Sequence, residues 1–144
     1  MRLTLEQALQ RIGRMLSDRI APDVANDFVA QSARLSSGML NICANWIDDA
    51  AEVRVKENAA IRGLLSEIAG VAGGAMSDGL AQAARSSDPG LRISQLDAES
   101  HRLRLLLVEA HAWLETQADE PARNLDRKVW QLLEDIELAR APRE

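Results

Sequence analysis

Apolar residues recur at intervals of three and four along most of this 144-residue chain, and that interval is the period of an α-helix. The first stripe is Leu5, Ala8, Leu9, Ile12, Leu16 and Ile20, with Gln10, Arg11, Arg14 and Ser17 on the other side. Thr4 followed by Gln7 has the form of a capping box and sets where this helix starts. Pro22 is expected to end it and to stand in the first turn of the next helix. The second stripe is Val24, Phe28, Leu35, Met39, Ile42, Trp46, Ala50 and Val53, with the small Ser32 filling its one gap. It is expected to face the core. Ile61, Leu64, Leu65, Ile68 and Val71 continue nearly in phase. Residues 22–72 therefore form either one long helix or two helices divided near Asn58.

Gly70, Gly73, Gly74 and Gly79 mark a helix end and a soft connection, with room for a short helix over Leu80 to Ala84. Ser86-Ser87-Asp88-Pro89-Gly90 is the strongest loop signal in the chain. The segment Leu91 to Thr116 is apolar on two sides. Leu96, Leu103, Leu107, Ala110 and Leu114 share one face, widened by Leu106 and Trp113, while Leu105, Val108 and Ala112 lie opposite with His101 beside them. A turn over Gln117 to Glu120 leads to Pro121 and a last helix with the stripe Leu125, Val129, Leu132, Leu133 and Ile136. The absence of Tyr, the single Phe and the abundance of Ala, Leu, Glu and Arg favour helix over strand. No repeat or low-complexity linker interrupts this pattern. The expectation is a single all-α domain over residues 1–144, a helical bundle of about five to six helices, up-and-down or orthogonal.

Charge narrows the partners. The formal net charge is −5, and the densest basic stretch, Arg123 to Lys128, contains Asp126, so no nucleic-acid partner is expected. The longest run of large aliphatics is Leu105 to Val108, far too short for a membrane span, and the polar residues among Leu5 to Ile12 argue against a signal peptide. Cys43 is the single cysteine, which rules out an intrachain disulfide and accords with a cytoplasmic location. Its place on the apolar side of its helix predicts a small buried hydrophobe rather than a reactive thiol.

Tests for chemistry fail residue by residue. A di-metal bundle needs Glu-x-x-His pairs. Ala98 and Val108 stand three residues before His101 and His111, so no metal and no cofactor are expected. The glycines from 70 to 79 have neither the lysine nor the strand of a phosphate loop. Met15, Met39 and Met76 read as core filler. Asp97, four residues before His101, and the cluster Asp48, Asp49 and Glu52 read as solvated helix faces rather than acid–base machinery. Trp46 is expected in the core, and Trp130, off the main stripe of its helix, at a helix edge or an interface. The resulting expectation is a helical interaction or accessory protein that self-associates or binds another helical protein, without catalytic residues. Its interface candidates are Leu105, Val108, Ala112, Trp113 and Trp130. The alternative is a small-molecule-binding or enzymatic bundle with a pocket lined by His101, His111 and Trp113.

Overall fold

The computed structural model describes residues 2–141. The protein is all-α: 82% of it is helical and six main helices account for its architecture, with no strand among the described residues. Two compact units are present, one ending at Ala50 and one spanning Ala51–Ala141. No described helix is long and apolar enough to cross a membrane.

The first unit is a helical hairpin. Helix α1 (Leu5–Met15) opens on the capping box: the Gln7 backbone N–H donates to Thr4 Oγ1 and the Thr4 N–H to Gln7 Oε1, both at 3.2 Å. The helix then widens into a π-helical stretch (Leu16–Ile20) and closes with Ala21–Asp23. Pro22 therefore stands in the last turn of this helix and not in the first turn of the next. The widened stretch explains how. Proline has no N–H and its ring crowds the carbonyl four residues back, and a π turn relieves that crowding. It also resets the phase. In a continuous α-helix Ala21 would sit about 80° round from Gly13, and five residues at about 4.4 per turn take back roughly 90°. Gly13 and Ala21, the two buried residues of this arm, come to one face as a result.

After a three-residue link, Asn26 caps helix α2 (Asp27–Ile47) by accepting from the Phe28 and Val29 N–H groups. Helix α1 packs along it. The buried face of α2 is Ala30, Ser37 and Ala44, spaced by sevens. Opposite them stands Gly13, where a Cβ would lie 3.3 Å from the Ser37 carbonyl and from Asn41 Oδ1. This close-packed seam of small residues overturns the expected orientation of α2. Phe28, Leu35, Met39, Ile42 and Trp46 lie about 140–180° round the helix from it, where α1 cannot reach them. Phe28 is 80% exposed, Met39 67%, Leu35 62% and Trp46 40%. Met15 and Cys43 are exposed as well. The two methionines, the cysteine and Trp46 are thus not core residues, because the seam uses only side chains small enough for backbones to approach.

The break in the second expected helix comes at residues 48–49, ten residues before Asn58, and helix α3 (Ala50–Ala69) follows. Helix α4 (Gly74–Ala84) starts well ahead of Leu80, with Gly74 at φ +60°, a conformation that glycine adopts without strain. Helix α5 (Ile93–Glu115) and helix α6 (Glu120–Arg140) complete the second unit. Asp119 caps α6, accepting from the Ala122 N–H at 2.9 Å, and Pro121 sits in its first turn. Ile61, Leu65 and Ile68 of α3, Leu80 of α4, Leu103, Leu107 and Leu114 of α5, and Leu125, Val129 and Ile136 of α6 form one core. Each such Leu or Ile contributes roughly 1.5–3 kcal/mol by leaving water. Met76 packs against this core, as expected of it.

Candidate functional site

The two faces of α5 are unlike. Leu96, Leu103, Leu107, Ala110 and Leu114 are buried, whereas Leu105, Val108 and Ala112 lie exposed on the reverse side, with His101 one turn before Leu105. Trp130 of α6 is 58% exposed and meets His111 edge-on, with ring centroids 5.2 Å apart and planes at 79°. His111 is three residues beyond Val108, one step along the helix surface, so the apolar strip of α5 runs on to Trp130. Trp113 does not join it. That ring is half-buried against the core, about 140° round the helix from Val108.

His101, His111 and Trp113 are not brought to one pocket. The two histidines are separated by roughly 15 Å of helix, and His101 is exposed. Asp97 turns away from it to Arg54, whose Nε donates to Oδ1 at 2.6 Å. His111 has closer company. Its Nε2 lies 2.8 Å from Asp126 Oδ1 of α6 and 4.0 Å from Glu115 Oε1, one turn further along α5. The potential ligand atoms of these three residues all fall within 4.8 Å of one another. Glu115 was visible in the sequence, four residues after His111. Asp126 was not, because only the packing of α6 on α5 brings it there.

Sequence reasoning also missed an arginine–carboxylate network that ties α3, the loop before α5, α5 and the end of α6. Glu57 of α3 is buried and accepts from Ser100 Oγ at 2.7 Å, from Arg104 at 2.6 and 3.0 Å and from Arg140 at 2.8 Å. Burial alone would raise its pKa. The bonds from Ser100, Arg104 and Arg140 outweigh that and hold it below the usual carboxylate range. One turn away, Arg62 bridges Asp88 at 2.9 Å and Glu99 at 2.8 Å. Glu99 also receives Arg102 at 2.7 and 3.0 Å. The Arg102 bonds, against burial and with help from Arg62, bring the Glu99 pKa down to about 2. Asn58, fully buried, donates to Asp88 and to the Leu96 carbonyl, so it anchors the loop rather than ending a helix. Glu57, Asp88 and Glu99, like Asp97, have arginine partners, which suits a structural clamp and leaves none of them free as a base.

Comparison with known proteins finds no matching family model, no matching curated protein and no matching solved structure.

Proposed function

We propose that this chain is a non-catalytic interaction protein that works by pairing helix faces, with a second copy of itself as the first partner, in a cytoplasmic setting. The observation that carries this reading is the outward side of α2. Its 21 residues include only two charged ones, Asp27 and Arg34, yet Phe28, Leu35 and Met39 are each more than 60% exposed. A helix so poor in charge and so exposed lacks a cover. With Trp46, these four side chains of one stripe offer on the order of 100 Å² each, about half of the roughly 800 Å² that each partner brings to a stable interface, the polar residues at the rim of the stripe making up the rest. The stripe is uncharged and so does not repel its own copy across a twofold axis. Two hairpins joined in this way set their α2 helices face to face at the centre, with each α1 on the outside. The strip Leu105–Val108–Ala112 with Trp130 is a second uncovered surface of the same kind, suited to another helical partner.

The reading is tested by sedimentation of the wild type and of Leu35→Glu combined with Met39→Glu. The wild type is expected to be dimeric at micromolar concentration and the variant monomeric with its helix content kept. A wild type that is monomeric at all concentrations removes the reading. Leu105→Glu with Val108→Glu is expected to leave that dimer in place. A pocket-based activity has less behind it, since His101, His111 and Trp113 do not converge.

A further inference from the structure

The ion-paired carboxylates of the second unit fall into two groups, those that meet an arginine or a lysine and those that meet a histidine. Glu57, Asp88, Asp97 and Glu99 each face an arginine within 3 Å. Asp126 and Glu115 face only the imidazole of His111, and among the described residues no Lys or Arg lies within ion-pair distance of either. Two carboxylate oxygens and one imidazole nitrogen therefore converge with no Lys or Arg among them. His111 and Glu115 are one turn apart on α5, which puts both on one side of that helix, and Asp126 meets them from α6. We infer that His111, Glu115 and Asp126 form a divalent transition-metal site, with zinc as its best-suited ion.

The donor set is one nitrogen and two oxygens. That choice suits zinc and similar borderline ions better than calcium or magnesium, which take oxygen alone. Metal–ligand bonds of about 2.0–2.2 Å place neighbouring ligand atoms about 3.3 Å apart in a tetrahedron. The observed separations of 2.8 Å and 4.0 Å bracket that value. Closing the longer one requires only a rotation of Glu115, an exposed side chain. Binding uses the Nε2 lone pair, so the metal-bound ring carries its hydrogen on Nδ1. Water completes the coordination. The site joins α5 to α6 on the surface beside Trp130, so an ion there would fasten the two helices and lie next to a fluorophore. This departs from the expectation of no metal, which considered only the residues upstream of each histidine.

The test is titration of the full chain with zinc by calorimetry and with cobalt(II) by absorption and tryptophan emission. The wild type is expected to bind one equivalent, with cobalt quenching much of the emission. Trp130→Phe should keep the binding and lose most of the quenching. His111→Ala and the nearly isosteric Asp126→Asn should each weaken binding about tenfold or more, while His101→Ala and Cys43→Ser should match the wild type, all with unchanged circular dichroism. No saturable binding by the wild type overturns the inference. So does binding that survives both His111→Ala and Asp126→Asn, or a loss confined to His101→Ala or Cys43→Ser.

Discussion

Glu99 keeps its charge at a nearly buried position because Arg62 and Arg102 both reach it. Its folded pKa of about 2 lies below the ordinary 4.5, so its contribution to stability is fully present above about pH 4.5 and is lost as the pH falls towards 2. Glu57 acts in the same direction. Acid unfolding should therefore become steep in that window. Glu99→Gln should lower stability at pH 7 by on the order of 2 kcal/mol and flatten the acid limb. Urea titrations at several pH values measure both effects. An acid limb as steep in the variant as in the wild type would show that Glu99 does not carry it. Of these contacts only Glu99 with Arg102, three residues apart on one helix, could be read from the sequence. Arg62 and Glu99 are 37 residues apart and Arg140 and Glu57 are 83 apart. A charge pattern marks no partner at such separations.

Among the elements, helix existence was plain to read, and so were the starts of α1 and α6, because periodicity and caps are local; the starts of α2, α3 and α4 were misplaced. Thr4 with Gln7 caps α1, and Pro121 stands in the first turn of α6, as their residue types allow. The buried face of α5 was also legible, since four leucines on one side outweigh the shorter reverse strip. Helix α2 was misread for a physical reason. Periodicity shows that a helix has an apolar side, but whether a neighbour covers that side depends on packing, and here α1 packs on the small side instead. Gly13→Leu tests this seam. A leucine there meets the Ser37 backbone, which cannot give way as a side chain can, and it should cost about 1–3 kcal/mol. Thermal melts of the variant against the wild type check it. An unchanged melt would mean that the two helices are free to slide apart at this point.

At the level of the whole molecule, self-association through α2 makes stability depend on protein concentration, because only the folded chain can pair. The melting temperature should rise with each tenfold increase in concentration, and Leu35→Glu combined with Met39→Glu should abolish the trend. A wild-type melt independent of concentration would count against pairing. The candidate metal site was half legible: His111 and Glu115 lie one turn apart in the sequence, whereas Asp126 arrives only with the fold.

The π-helical stretch over Leu16–Ile20 carries a consequence of another kind. It contains one residue more than an α-helix would need to bring Ala21 round to the side of Gly13. Its number of residues matters for that alignment, and their identities matter far less. In a saturation library over these five positions, most substitutions should pass, since none of the five side chains is buried. A deletion of any one should pass too, because it leaves Ala21 seven residues after Gly13, within about 20° of it on an ordinary α-helix, whereas an insertion of one should fail by turning everything after it about a quarter-turn out of step with the partner helix.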